Sequence, residues 1–236
     1  MNSIYNLLQN TLKDNLSIYF TAGYPSLIDT VKVIQELSKS KVDFIEVGLP
    51  YSDPLADGPT IQESSQKALQ NGINLDIVFD QLLKYGEEKF CQKVIDCGID
   101  TLILPDLPMV EYENHYKSLF DSYGINNVFL ITPHTTVERI LKIDSYTKSF
   151  IYMVASSAIT GAKGEISQEQ IDYFNRVNSL KLKSKLIIGF GISDHQTFSK
   201  ACEYSNGAII GSAFIKYLGE NGTEKIGDFI KSVKPN

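Results

Sequence analysis

The sequence has few cysteines, no long apolar stretch and no basic cluster, and each absence excludes a class of protein. The three cysteines, Cys91, Cys97 and Cys202, form no CxxC pair, which argues against a disulfide framework or a zinc site. Cys91 and Cys97 lie within a helical pattern, and we expect both to be small buried side chains. No apolar run approaches the ~20 residues that span a membrane. The first residues show no signal-peptide pattern, so we expect a cytoplasmic protein.

The net charge limits the kinds of partner that this protein can have, and the length limits the number of domains. The formal net charge is −6, which argues mildly against nucleic acid or an anionic membrane as partner. The 236 residues suit one large domain, because a single α/β barrel commonly has about 250 residues. No linker is evident, so residues 1–236 are predicted to form one domain.

Short apolar runs alternate with helical patterns along the chain. Seven runs are rich in Val, Ile, Leu and Phe without alternating polar residues, which is typical of strands buried on both faces of a parallel sheet. The alternation predicts a parallel α/β fold. The predicted strands are residues 17–21, 44–49, 101–104, 127–131, 150–154, 185–189 and 207–210. Helix starts are predicted at Ser26, at Thr135 with Glu138, at Ser167 with Gln170, and at Ser193-Asp194.

The spacing of the strands is uneven in one place. The interval from Phe44 to Thr101 is roughly twice the usual one. Within it, residues 74–98 are helical in pattern almost throughout, and no Val/Ile-rich run interrupts them. One strand that the alternation requires is therefore missing.

Glu46 and the loop after it are the first candidates for chemistry. A carboxylate inside the apolar run 44–50 is costly to bury unless it is paired or used, and burial raises its pKa toward the range that suits general acid–base catalysis. Glu46 is either catalytic or a structural partner of a lysine. Residues 51–60 follow a strand end, where barrels carry the active site, so they form either a functional loop or a solvated turn.

Glycines follow three of the later strands, in Thr160-Gly161, in GFGIS at 189–193 and in Gly211-Ser212. Backbone N–H groups at strand-to-helix junctions, together with helix dipoles, bind phosphate. Barrels often place a phosphate site after the seventh and eighth strands. The pattern indicates a phosphate cradle, and the alternative is a set of tight turns.

These segments together resemble tryptophan synthase α subunits. The longest match is EVGLPYSDPLADGPTIQ at residues 46–62. FTAGYP (20–25), DLP (106–108), AITG (158–161), GFGIS (189–193) and GSA (211–213) follow the family's order. The resemblance covers nearly the whole chain except around residues 82–85. It implies a TIM-type (β/α) barrel, here lacking the third strand of the eight.

The resemblance implies retro-aldol cleavage of indole-3-glycerol phosphate to indole and glyceraldehyde 3-phosphate. Glu46 matches the family's proton-transfer glutamate, and Asp57 matches the aspartate that interacts with the indole N–H. Tyr19 and Tyr152 match aromatic residues near the indole. The other residues implied for the substrate are Thr160 in a lid over Asp57, and Gly161, Gly191, Gly211 and Ser212 around the phosphate.

The resemblance also implies a partner and no cofactor in this chain. The family forms an αββα complex, whose β subunit carries pyridoxal phosphate and receives indole through a tunnel. Pro50 and Asp53 match loop residues near that interface. No metal is implied. The histidines His115, His134 and His195 lie in no matched motif, and only His195 is near the predicted phosphate turn.

The chain departs from the family between residues 83 and 86. About 20 residues, the length of a strand with its connections, are absent there. The absent piece normally supplies part of the indole pocket and of the surface that faces the β subunit. We therefore expect reduced activity and reduced β-subunit affinity, with Glu46, Asp57 and the phosphate cradle in place. An in-frame deletion, an artefact of how the sequence was obtained, and closure into a seven-stranded barrel each explain the gap.

Three functions follow from these observations. The first is an active lyase subunit, which the intact Glu46 and Asp57 favour. The second is a catalytically impaired barrel that binds a phosphate ligand or a β subunit, which the missing strand favours. The third is a structural barrel with another function, against which the long signature argues.

Overall fold

The computed structural model describes residues 4–11, 13–50, 57–73, 86–155, 167–189 and 191–235. Within them, seven strands form one parallel sheet in the order β2-β1-β7-β6-β5-β4-β3. The prediction of a parallel α/β fold is confirmed, as are all seven strands to within two residues at each end. They are β1 (Asn15–Thr21), β2 (Phe44–Gly48), β3 (Thr101–Ile103), β4 (Asn126–Ile131), β5 (Phe150–Val154), β6 (Lys185–Gly189) and β7 (Gly207–Ile210).

Helices alternate with the strands, and most of them pack against the outer face of the sheet. The segment α5 includes a π-helical turn, Tyr112–Tyr116, between two α-helical pieces. The helices are α1 (Ile4–Asn10), α2 (Asp29–Ser38), α3 (Pro59–Gln70), α4 (Glu87–Asp96), α5 (109–123), α6 (Val137–Tyr146), α7 (Gln168–Ser179), α8 (His195–Tyr204), α9 (Ser212–Asn221) and α10 (Ile226–Val233).

Two of the four predicted helix-start signals cap a helix as expected, Ser167 at α7 and Asp194 at α8. Ser167 and Gln170 form the predicted capping box at the start of α7. The prediction that Thr135 caps α6 is wrong, because Thr136 accepts the hydrogen bond from the Arg139 N–H. The hydroxyl of Thr135 instead accepts from the backbone N–H of Thr132 in the preceding turn. Two adjacent threonines left the choice open in the sequence.

Two predictions on the outer layer need correction. Cys91 is buried as expected, but Cys97 is exposed, because it is the residue that ends α4 and no longer lies on the helix's buried face. The helix predicted to open at Ser26 begins at Asp29, and the Ser26 hydroxyl donates to the Asp29 carboxylate.

Apolar side chains pack on both faces of the sheet, which explains the continuous apolar runs. The outer cluster, which includes Ile18, Phe20 and Phe214, fills the space between strands and helices. The inner cluster lies on the concave face, where the rings of Phe44 on β2 and Phe150 on β5 are 5.6 Å apart. Since β2 and β5 are not neighbours in the sheet, this contact shows that the sheet curls as a barrel wall does.

Helix α1 was not predicted, and it closes one end of the curled sheet. Leu8 is fully buried in the inner cluster with Phe44 and Phe150. These two phenylalanines begin their strands, so α1 lies at the amino ends of the strands. The opposite end, where the strands finish, remains available for a site.

The sheet ends at β2 on one side and at β3 on the other. Within the described residues, β2 pairs only with β1 and β3 only with β4, as expected if the third of eight strands is missing. Val47 and Leu49, at the β2 edge, are 41% and 55% exposed. The sequence lacks the expected strand near residues 74–85, and these residues lie outside the described ones.

Candidate active site

Glu46 occupies the middle of β2, and its carboxylate is enclosed. It is opposite Tyr19 in the register of β1 and β2. The residue as a whole is partly buried, but Oε2 is inaccessible and has no hydrogen-bond partner among the described residues. Burial, and secondarily the charge of Asp57, raises the pKa of Glu46 from 4.5 to about 7. The enclosed oxygen explains the large effect, and such a group can both give and take a proton near neutral pH.

Asp57 lies immediately before α3 and close enough to Glu46 for their charges to interact. Pro59 stands at the first position of the helix, where its missing N–H costs nothing. The side-chain amide of Gln62 donates to the Asp57 carbonyl at 2.8 Å and holds its backbone. Partial burial raises the pKa of the Asp57 carboxyl.

Two tyrosines complete the wall of the site, and each covers a glycine. A Cβ at Gly48 would lie 2.2 Å from the Tyr19 hydroxyl, and one at Gly189 would lie 2.1 Å from the Tyr152 hydroxyl. Burial, followed by the charges of Glu46, Tyr19 and Asp57, raises the pKa of Tyr152 well above its ordinary value. Tyr152 is therefore a neutral phenol that faces both carboxylates.

The carboxyl ends of β6 and β7 carry the predicted phosphate residues. Gly191 follows β6 with a φ of +79°, a conformation that favours glycine. Gly211 precedes α9 and supplies no side-chain cap, and Ser212 is the first residue of that helix. Among the described residues no side chain caps the N-terminal N–H groups of α9, and such uncapped groups can bind an anion.

The neighbouring helix α8 is different, because its own residues satisfy its N-terminus. Asp194 accepts from the Thr197 N–H at 2.8 Å in a capping box. Its carboxylate already provides the anion that the helix dipole favours. Of the two helices, α9 therefore lacks the side-chain cap that α8 has.

The remaining predictions are placed as follows. Thr160, Gly161 and Asp53 lie outside the described residues. His195 points away from the phosphate turn, since its Nδ1 is 2.8 Å from the carbonyl of Val233 in α10. Among the described residues, no group of three His, Cys, Asp or Glu side chains is arranged to hold a metal ion. None of the described helices is long and apolar enough to cross a membrane.

A surface cavity of about 590 Å³ lies at the opposite end of the sheet. Lys148, Ser149 and Lys185, at the amino ends of β5 and β6, contribute to its lining. It contains none of the predicted site residues. The candidate site lies instead around the enclosed Glu46 carboxylate.

The sequence placed Gly189 only in the predicted phosphate motif and gave Gly48 no role of its own, so the close approach of a tyrosine to each glycine was not predicted. Their signal was a glycine at the end of an apolar strand, which often marks a close approach by another group. Only the tertiary structure shows that the approaching groups are the hydroxyls of Tyr19 and Tyr152.

The sequence matches the family model described as tryptophan synthase alpha chain in two segments, residues 6–83 and 75–234. The segments overlap at residues 75–83, as expected if part of the family pattern has no counterpart there. The tryptophan synthase alpha chain of Christiangramia forsetii is 52% identical over 254 aligned positions, with 99% of each chain covered. That of Flavobacterium johnsoniae is 51% identical, with 99% of this chain and all of the relative covered. Both alignments are longer than the 236 residues of this chain, which supports a missing segment.

Solved structures give the same result. The alpha subunit in a Pyrococcus furiosus tryptophan synthase α2β2 complex superposes with a TM-score of 0.84 at 31% identity, covering 94% of this chain and 98% of the other. An isolated alpha subunit from the same organism gives a TM-score of 0.82 at 30% identity. The enclosed Glu46 carboxylate, the partly buried Asp57 beside it and the full-length matches lead to one conclusion, that this chain belongs to the tryptophan synthase alpha chain family.

Proposed function

We propose that this chain is an active lyase that cleaves indole-3-glycerol phosphate to indole and glyceraldehyde 3-phosphate. The observation that carries the proposal is the enclosed Glu46 carboxylate. It lies near Asp57 and the neutral Tyr152, and its pKa is about 7. The alternative of a barrel without turnover has less support, because relatives of about 50% identity match the chain along its length.

The reaction needs one proton added and one removed. The indole carbon that carries the glycerol chain takes up a proton, and the adjacent hydroxyl loses one. The carbon–carbon bond then breaks, and its electron pair restores the aromatic ring. A carboxyl group with a pKa near the ambient pH suits both transfers. We assign them to Glu46, because its Oε2 has no competing partner among the described residues.

Asp57 and the phosphate end orient the substrate. Asp57 accepts a hydrogen bond from the ring N–H and stabilises the positive charge that develops on the protonated ring. The phosphate binds the N-terminal N–H groups of α9 and the backbone around Gly191, with the Ser212 hydroxyl as a further donor. Tyr19 and Tyr152 flank the indole. Thr160 and Gly161 are assigned to the same site by resemblance alone.

The proposal includes the partner and the compartment. The reaction is a proton-transfer cleavage, so we assign no cofactor or metal to this chain and leave pyridoxal phosphate to a β subunit. An α2β2 complex is observed for the Pyrococcus furiosus relative, and we propose the same assembly here. The reaction belongs to tryptophan biosynthesis, which supports a cytoplasmic location.

The test is indole release from indole-3-glycerol phosphate by the purified chain, with and without a β subunit. Glu46→Gln preserves the size of the side chain and removes the acid–base group, so kcat should fall by about 100-fold or more. Glu88→Gln, on the exposed side of α4, is the matched control and should leave kcat unchanged. A folded protein without turnover, or a Glu46→Gln variant with full turnover, would refute the proposal.

A further inference from the structure

Helix α3 brings Asp57 to the site, so the contacts that fix this helix determine where the carboxylate lies. Asp57 precedes α3 by one residue, Gly58. The buried face of α3 includes Ile61, Ser64 and Ala68. One polar contact on this face reaches the sheet, where the hydroxyl oxygens of Thr21 and Ser64 are 2.7 Å apart.

The Thr21–Ser64 pair is fully enclosed, with Thr21 0% and Ser64 1% exposed. The Ser64 hydroxyl donates to the carbonyl of Ile61 at 2.8 Å. Since a hydroxyl carries one proton, Thr21 must be the donor to Ser64. The direction of both hydrogen bonds is thus fixed, which favours one position of α3 along the strand end.

The pair connects the two elements that carry the carboxylates. Thr21 ends β1, two residues after Tyr19, and both side chains lie on the same face of the strand. The register pairs Thr21 with Gly48 and Tyr19 with Glu46 on β2. On the other side, Ser64 is in the same helix as Gln62, whose amide holds the Asp57 carbonyl. A short rigid path therefore joins Asp57 to Glu46.

Further contacts hold the carboxyl end of α3. The Asn71 amide donates to the carbonyls of Gly23 and Pro25 at 2.9 and 2.8 Å. These bonds secure the carboxyl end of the helix, more than two turns from Asp57. Ser64 lies in the second turn, where a small shift moves Asp57 directly.

We propose that Thr21 and Ser64 are positioning residues that set Asp57 against Glu46 through their buried hydrogen bond. The proposal rests on the proposed lyase function. Among the described residues, the groups that face Glu46 are Asp57, Tyr19 on β1 and Tyr152 on β5. Asp57 is the only one of the three whose position depends on α3, so a shift of α3 should change its electrostatic effect on Glu46 selectively.

The variants are Thr21→Val and Ser64→Ala, which remove one hydroxyl each, and the double variant. We expect each single variant to lower kcat by about ten-fold or more, because displacement of a catalytic group by about 1 Å can cost up to 100-fold. KM should change by less than about three-fold, since the phosphate site is elsewhere. The double variant should be no slower than the worse single variant, because both remove the same contact. Thr21→Ser, which keeps the hydroxyl, should restore most of the activity.

The matched control is Ser65→Ala. Ser65 is the next residue of α3 and is also buried, at 2% exposed, but it takes no part in the contact with Thr21. Equal kcat losses for Ser65→Ala and Ser64→Ala would show a general packing effect and overturn the proposal. So would additive losses in the double variant.

A second readout does not depend on turnover. Carbon-13 NMR of the Glu46 carboxyl should show a lower titration midpoint in Thr21→Val and Ser64→Ala than in the unmodified chain, because Asp57 raises the pKa of Glu46. Ser65→Ala should titrate as the unmodified chain does. An unchanged midpoint in all variants would overturn the proposal. If the unmodified chain released no indole but the midpoint moved as expected, the lyase function would fail while the positioning role stood.

Discussion

At the scale of single residues, Glu46 shows how a functional requirement opposes stability. The unfolded chain holds a proton on this carboxyl only below its ordinary pKa of 4.5, whereas the folded chain holds it up to about 7. Between these values the folded state binds more protons, so the free energy of unfolding falls as pH rises through this window. At pH values below this window Glu46 does not lower the free energy of unfolding, and at pH values above it the full decrease persists.

The predicted loss is about 3 kcal/mol between pH 4 and pH 8, from about 1.4 kcal/mol for each pH unit between the two pKa values. Glu46→Gln cannot ionise and should lack most of this decrease. Urea unfolding of both proteins at several pH values would measure it, with Glu88→Gln as the control. Parallel pH profiles for Glu46→Gln and the unmodified chain would contradict the prediction.

The glycines beneath the tyrosines lead to a second prediction at this scale. Gly189→Ala would place a methyl group 2.1 Å from the Tyr152 hydroxyl, so the ring must move and kcat should fall by about ten-fold or more. Gly227→Ala, in α10, has no atom within 4 Å of the new Cβ. It should leave kcat unchanged and stabilise the chain by up to about 1 kcal/mol. Full activity in Gly189→Ala would contradict the role given to Tyr152.

At the scale of elements, the N-termini of α8 and α9 differ in how their first N–H groups are satisfied. The Asp194 side chain caps the N-terminus of α8, whereas α9 follows Gly211 and has no side-chain cap. A helix whose first N–H groups are left open is less stable by itself and more useful to an anionic ligand.

This contrast predicts opposite effects of one added charge. Ser212→Asp puts a carboxylate in the first turn of α9, which should leave the helix as stable as before or slightly more so. The same charge should repel the substrate phosphate and raise KM by about 100-fold or more. Gln196→Asp, in the first turn of α8, should leave KM unchanged. Steady-state kinetics and thermal unfolding of both variants would test this, and an unchanged KM in Ser212→Asp would exclude α9 from phosphate binding.

At the scale of the whole molecule, the sheet formed by the described residues has two edges, at β2 and β3, where a closed barrel has none. Unpaired strand edges expose backbone groups and invite association, and Val47 and Leu49 at the β2 edge add exposed apolar surface. The resemblance to the family leads us to expect that the absent piece would supply part of the indole pocket and part of the surface for the β subunit. The free energy of unfolding, the lyase activity and the β-subunit affinity should therefore all increase if this piece is restored.

Inserting the corresponding segment of the Christiangramia forsetii relative between residues 83 and 86 should raise both kcat and the free energy of unfolding. β-subunit affinity should rise with them, and concentration-dependent association should decrease. An insertion of equal length rich in Gly and Ser is the matched control, because it lengthens the loop without supplying a strand. If the two insertions behave alike, the seven strands already form a sufficient barrel.

The sequence by itself determined the strands and the fold class, and it singled out Glu46 as a candidate for acid–base chemistry. Apolar runs without alternation specify strands buried on both faces, and seven such runs fell within two residues of the observed bounds. Glu46 was recognisable because burying a carboxylate inside an apolar run is costly unless it is paired or functional. The missing strand was also visible, because the alternation is a property of the order along the chain.

Other features were decided only by the tertiary structure, because they depend on distances between residues far apart in sequence. The packing of Leu8 beneath the inner cluster, the hydroxyls of Tyr19 and Tyr152 over Gly48 and Gly189, and the Thr21–Ser64 bond join different elements. The pKa of Glu46 belongs to the same class, since burial by several strands and the charge of Asp57 set it together. Local patterns specify which elements form, but the proton chemistry depends on how closely those elements approach one another.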